Sequence, residues 1–222
     1  MILKTNSIEV FIKNSQRTEM LILAMDKIRA YNRLYQDKAF SESLVYGKKV
    51  EEIQNIQLKK IEQSCSEHAI ISLATTFETF CKEYISQLLF EFPQFFQGTR
   101  TKYSKKVEEL ISNKIEFNSD YITGHIGLNN RFDYYKFFKS FKITFLTEKE
   151  NNLIEYIYAK RNFFVHGGNN SKIKTFSKLN NLESPINEIH ISTLSKRLRT
   201  KLNRTIPKIH ERIIYFIKSK TN

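Results

Sequence analysis

Between Gly47 and Pro93 the chain carries no glycine and no proline, and across the later part of that stretch Ile70, Leu73, Ala74, Phe77, Cys81, Tyr84, Ile85 and Leu88 fall three and four apart. Such spacing lays one apolar stripe along an α-helix. A long helix from about Lys48 to Glu91 is therefore the element around which the fold has to be built, and the width of its stripe suits the centre of a helix bundle. The remaining breakers, Gly98, Gly124, Gly127, Gly167, Gly168 and Pro185, separate further periodic segments, and only Pro207 falls inside one. A mostly helical protein follows.

The other elements read as follows. Leu21, Ala24, Ile28, Tyr31 and Tyr35 predict a helix over Ser15 to Tyr35, and a short one is expected over Ser104 to Ser112. A polar loop holds Gly124, His125 and Gly127. Asn130 to Phe141 is dense in aromatics and is expected to be a short buried helix, with Phe132, Tyr134, Tyr135, Phe137, Phe138 and Phe141 in the core. Thr147 and Glu150 have the spacing of a capping box, in which hydroxyl and carboxylate each satisfy a free amide at the helix start. The helix so begun has Leu153, Ile154, Ile157, Tyr158, Phe164 and Val165 as its inward face and Gly167 as its left-handed stop. A polar loop over 167–187 precedes a brief extended piece, Glu188 to Ile191. A last helix, Thr193 to about Lys218, carries Leu194, Leu198, Leu202, Ile206, Ile209, Ile213 and Ile217 on one side and a kink at Pro207.

Several classes are disfavoured. The longest apolar run, Met20 to Met25, is far shorter than the roughly 18 residues that cross a bilayer, and Lys4 and Glu9 spoil a signal-peptide reading. A cytoplasmic protein without a membrane partner is expected. Cys65 and Cys81 would stand about 24 Å apart on one helix, out of disulfide range. Cys65 and His68 make half a zinc site with no second pair behind it, so neither metal nor cofactor is expected.

The net charge of +13 over 222 residues is concentrated. From Ser192 to Asn222 there are nine Lys and Arg against Glu211 alone. A polyanion is the natural partner of such a segment, through phosphate contacts that release counterions. A solvated basic helix face is the plain alternative.

The stretch RNFFVHGG, Arg161 to Gly168, places an arginine, an amide and an imidazole where the helix begun at Thr147 runs out. Asn162 and His166 are four apart and share a face, and Arg161 must swing its stem round to join them. Spacing alone is weak support: an Arg followed four to six positions later by His is expected about 0.7 times by chance in this composition, and Arg204 with His210 is a second such pair. Arg and His in a last turn also answer the helix dipole. The residues leave both readings open.

Arg161-Asn162-x-x-x-His166 at a helix end resembles the signature of the HEPN ribonucleases, a fold of bacterial toxins, abortive-infection proteins and RNA-guided effectors. Ser72 to Leu89, SLATTFETFCKEYISQLL, is similar to the first core helix of the RiboL-PSP and related bacterial defence groups, with Glu78 and an aromatic residue, Phe80 or Tyr84, after it. The resemblance implies an all-α, HEPN-like four-helix bundle over 46–222, with an N-terminal helical extension over 1–45 and the 167–187 loop inserted before the last helix. It implies a metal-independent endoribonuclease of toxin-antitoxin or phage-defence type, acting as a homodimer whose two-fold axis assembles a composite cleft, with RNA and a cognate antitoxin protein as partners.

In that reading Arg161 binds the phosphate through its planar fork. His166 does the proton work, for which an imidazole suits neutral pH. Asn162 orients the imidazole or the ribose, and Glu78 holds Arg161 by a salt bridge; on its residues alone Glu78 is equally an exposed carboxylate beside the apolar stripe. Lys160, Arg197, Lys201, Arg204 and Lys208 are the expected RNA-binding cations. A non-catalytic RNA- or nucleotide-binding protein and a helical partner-binding protein are the alternatives.

Overall fold

The computed structural model describes residues 6–39, 47–113, 118–129, 131–166 and 188–221. Every regular element among them is helical, as expected: α1 (Asn6–Ala39), α2 (Gly47–Glu91), α3 (Pro93–Phe96), α4 (Ser104–Ser112), α5 (Ser119–Ile126), α6 (Arg131–Ser140), α7 (Glu148–His166) and α8 (Glu188–Thr221). No helix among the described residues is long and apolar enough to cross a membrane. The loop over 167–187, with its expected stop at Gly167, lies outside the described residues, as do the side chains of Leu21, Ile28, Tyr31, Tyr35 and Phe132.

The chain divides into two compact units. Unit 1 comprises Met1–Lys13, Thr75–Asn151 and Arg197–Asn222, and unit 2 comprises Asn14–Ala74 and Asn152–Lys196. Both draw on α1, α2, α7 and α8.

The α2 stripe is buried along its whole length, from Ile70 to Leu88. The helix α1 begins before Ser15 and buries Ile8, Phe11, Ser15, Thr18 and Ile22, while Met20, Leu23 and Ala24 face outward. Of the predicted row only Ala24 is among the described side chains, and it is exposed; Ser15 and Thr18, being hydroxyl residues, carry no apolar signal in the sequence. Buried hydroxyls have to be bonded. In unit 2 the Thr18 Oγ1 lies 2.9 Å from Ser72 Oγ, Ser195 Oγ donates to the Ser15 carbonyl at 3.4 Å, and Tyr158 Oη donates to the Ala74 carbonyl at 2.9 Å.

Unit 1 is an aromatic core. Phe80 stacks on Tyr84 with centroids 5.5 Å apart and planes at 10°, and meets Phe11 at 5.5 Å, Phe77 at 6.0 Å and Phe145 edge-on at 5.9 Å. Tyr134, Phe137, Phe138 and Phe141 of the α6 region are buried as expected, whereas Tyr135 is 37% exposed. One helix cannot turn adjacent aromatics all inward, and Tyr135 takes the outer side.

His210 is the imidazole of the chance Arg-to-His pair, and it is part of this core. Its ring stacks on Tyr84 at 5.9 Å and 14° and meets Phe92 at 5.1 Å, and its Nε2 is buried with no hydrogen-bond partner among the described residues. Burial pushes its pKa down, and the nearby Glu91 carboxylate opposes that shift only in part. A histidine that ionises less readily when folded leaves the unfolded chain binding more protons, so its contribution is fully present above the unfolded value near 6.5 and is lost as pH falls through the depressed folded value. His210→Phe is expected to be more stable than wild type at pH 5 by about 1–3 kcal/mol, since it removes the buried unpaired nitrogen. Urea unfolding at pH 5 and 7.5 checks this; equal pH dependence in the two proteins would refute it.

Two expected irregular segments are helical. The Gly124–Gly127 loop is the end of α5, whose start is capped by the Asn118 side chain, accepting from the amides of Asp120 at 2.9 Å and Tyr121 at 3.3 Å. Gly127 ends it in the left-handed conformation, φ +83°, where the Leu128 amide reaches back to the Thr123 carbonyl at 2.7 Å. Buried Ile122, Thr123 and Ile126 hold the turn in place. Asn118→Ala is expected to lower stability by about 1 kcal/mol, and Gly127→Ala by about 1–2 kcal/mol from backbone strain, both readable as shifts of the urea midpoint. Likewise residues 188–191 belong to α8 rather than to an extended piece, because a four-residue stretch with two isoleucines in alternation does not by itself distinguish strand from helix. Past Pro207 the helix continues.

Candidate functional site

The last turns of α7 carry the candidate catalytic set. The helix starts as its sequence specifies: the Thr147 amide and hydroxyl both donate to Glu150 Oε2, at 2.7 and 2.8 Å, and the Glu150 amide returns to Thr147 Oγ1 at 3.4 Å. Ile154, Tyr156, Ile157 and Tyr158 are buried, with Leu153 and Phe164 half-buried. Val165, expected inside, is 47% exposed. With the interior side of α7 filled by these residues, the polar residues of its last turn are left toward solvent.

Arg161 is half-buried, and Asn162 and His166 are exposed. The Arg161 stem does swing round: Nη1 donates to Asn162 Oδ1 at 3.3 Å. Its Nε is buried and has no hydrogen-bond partner among the described residues. The guanidinium is thus steered at one nitrogen and unsatisfied at another. His166 is the last residue of α7, on the face of Asn162 one turn away. Lys160 Nζ sits over the rings of Tyr156 at 5.8 Å and Phe164 at 6.0 Å, within cation–π range.

Glu78 is half-buried on α2 and belongs to unit 1, where Lys82 Nζ approaches its Oε1 at 3.7 Å and bonds Asp120 Oδ1 at 3.1 Å. Arg161 belongs to unit 2.

On α8, Arg197, Lys201, Arg204 and Lys208 follow at intervals of four, three and four, and so line one helical face, beside the buried row Leu194, Leu198, Leu202, Ile206, Ile209 and Ile213. Arg197, Arg204 and Lys208 are exposed. Lys201 is half-buried and ion-pairs with Glu150 of the capping box. Burial opposes ionisation of Glu150, but the hydrogen bonds from Lys201 and Thr147 outweigh it and hold its carboxyl below the usual range. That pair joins residues far apart in sequence, and no local pattern announces it.

No group of three or more His, Cys, Asp or Glu arranged to hold a metal ion occurs among the described residues. His68, the other half of the Cys65 pattern, has its Nδ1 2.8 Å from the Ser64 carbonyl of its own helix. A feature of unit 1 with no counterpart in the sequence reading is an apolar pocket walled by residues of three separate segments, 95–101, 140–143 and 209–219. Residues so dispersed share no spacing from which they could have been recognised. In comparisons with protein-family models, characterised proteins and solved structures, none matched this chain.

Proposed function

We propose that this chain is a metal-independent endoribonuclease of the HEPN kind, working in the cytoplasm as a toxin or phage-defence effector, with RNA as substrate and an antitoxin protein as a cognate partner. The observation that carries the reading is the Arg161 guanidinium, fastened through Nη1 to Asn162, which in turn lies one helical turn from the exposed imidazole of His166. The guanidinium is a planar fork, which can bind two phosphate oxygens at once.

In the proposed reaction the RNA 2'-oxygen attacks phosphorus as its proton leaves, the bond to the 5'-oxygen breaks, and that oxygen is protonated. The products are a 2',3'-cyclic phosphate and a free 5'-hydroxyl. His166 transfers protons at the reacting oxygens, Arg161 balances the charge that builds on the phosphoryl oxygens, and Asn162 positions Arg161. One imidazole cannot serve both sides of phosphorus at once, so the active form is a homodimer in which a two-fold axis supplies the second. Arg197, Arg204 and Lys208 track the phosphate backbone along α8, and Lys160 offers a phosphate contact at the end of α7. Lys201, its charge shared with Glu150, contributes less than its neighbours.

The test is incubation of single-stranded RNA with the protein in EDTA, reading the product ends, with light scattering for the oligomeric state. Cyclic phosphate ends from a dimer meet the proposal. Salt-sensitive RNA binding without cleavage would leave the non-catalytic platform, and absence of both would refute any RNA role.

A further inference from the structure

The apolar pocket of unit 1 has a volume of about 820 Å³, inside the roughly 300–1,000 Å³ of small-molecule sites. Its floor is buried hydrocarbon and aromatic surface from Phe141, Ile143, Ile209 and Ile213. One wall is the edge-on pair Phe95 and Phe216, with centroids 5.6 Å apart.

Charge at the opening is one-sided. Arg100, Lys142 and Arg212 line it, all exposed, with Glu211 the single acid beside them, and none of the three cations makes an ion pair within the described residues. Of the lining hydroxyls all but that of the exposed Tyr215 are already engaged. Thr99, Ser140 and Ser219 donate to the carbonyls of Phe96, Phe137 and Phe216 at 2.7–2.8 Å, and Thr101 is 3.1 Å from Ser104 Oγ. Little remains to read the polar edge of a nucleobase or sugar.

Lys142 adds an independent sign. It closes α6 at φ +56°, its amide bonding the Lys139 carbonyl at 3.0 Å while the Ile143 amide bonds Phe138 at 2.9 Å. That is the left-handed helix stop at which glycine is the unstrained choice. At the other described positions of positive φ, residues 98 and 127, glycine is what the chain uses. A side chain there costs about 1–2 kcal/mol of strain, and strain kept in a site wall points to a use for the side chain.

We infer that this pocket binds a single-chain amphiphilic carboxylate of the fatty-acid class, its alkyl chain on the Phe141, Ile143, Ile209 and Ile213 floor and its head group on Arg100, Lys142 and Arg212. The inference does not depend on the ribonuclease reading. The probes are octanoate, decanoate and dodecanoate at submicellar concentration, measured by calorimetry on the full chain. Each methylene tightens binding about fourfold, and dodecyltrimethylammonium, with the same chain and the opposite head charge, does not bind. Arg100→Glu with Arg212→Glu, both at exposed positions, weakens dodecanoate binding more than about tenfold with an unchanged circular-dichroism spectrum.

Lys142→Gly separates ligand binding from folding, because it relieves the left-handed strain while removing one head-group cation: the melting temperature is held or raised while affinity falls several-fold. The proposal is overturned if dodecanoate does not bind, if affinity ignores chain length, if the cationic amphiphile binds as well, or if the three rim substitutions leave affinity unchanged. Displacement of dodecanoate by a short oligoribonucleotide would assign the pocket to nucleic acid and overturn it too.

Discussion

Replacing His166 by alanine is expected to slow RNA cleavage roughly 10²–10⁴-fold, the range a positioned proton-transfer group contributes, while RNA affinity stays within about threefold because few counterion-releasing contacts are lost. The substitution is a clean one. His166 is exposed at the last residue of α7, so its removal should change stability by no more than about 0.5 kcal/mol. Arg161→Ala should slow cleavage comparably and also weaken binding, since it removes the phosphate contact itself. Asn162→Ala should fall between wild type and these two: it frees the Arg161 fork held by the 3.3 Å bond without removing a reacting group. Single-turnover rates on a labelled single-stranded RNA, with binding measured separately in the same buffer containing EDTA, give both quantities. Wild type and His166→Ala cutting at equal rates would remove His166 from the chemistry and end the ribonuclease reading.

Truncating Phe80 to alanine is expected to destabilise the protein by about 3–5 kcal/mol, as removal of a large buried aromatic does. Phe80 is 1% exposed and is the ring at which Phe11, Phe77, Tyr84 and Phe145 meet. Four aromatic neighbours cannot all collapse into the space it vacates, so a cavity term adds to the lost transfer energy. Tyr135→Ala on the outer side of α6 serves as the control and should cost no more than about 0.5 kcal/mol. Urea unfolding followed by circular dichroism compares the two. A loss below about 1 kcal/mol for Phe80→Ala would mean that this aromatic cluster is not the core of unit 1.

Local pattern was enough for much of this chain. The α2 stripe from Ile70 to Leu88, the α4 limits at Ser104 and Ser112, the capping box at Thr147, and the inward row of α8 from Leu194 to Ile213 were all legible. Each depends on residues within one or two helical turns, so the backbone period and the chemistry of nearby amides decide them. The swing of Arg161 onto Asn162 was legible for the same reason, the two being neighbours on one helix.

Tertiary structure decided what depends on partners distant in sequence. Thr18 is a core residue because Ser72 meets its hydroxyl, and Ser195 because its hydroxyl reaches the Ser15 carbonyl; a hydroxyl looks like a surface residue until its partner is known. His210 shared the spacing of an Arg-to-His motif and became a core ring because Tyr84 and Phe92 flank it. Lys201 looked like a free cation until Glu150 took it as an ion-pair partner. The pocket with Arg100, Lys142 and Arg212 at its opening is drawn from three segments. Burial and pairing are properties of assembled surfaces: the order of residues along one helix sets which face is apolar, and only the packed neighbours set which polar groups are satisfied within it.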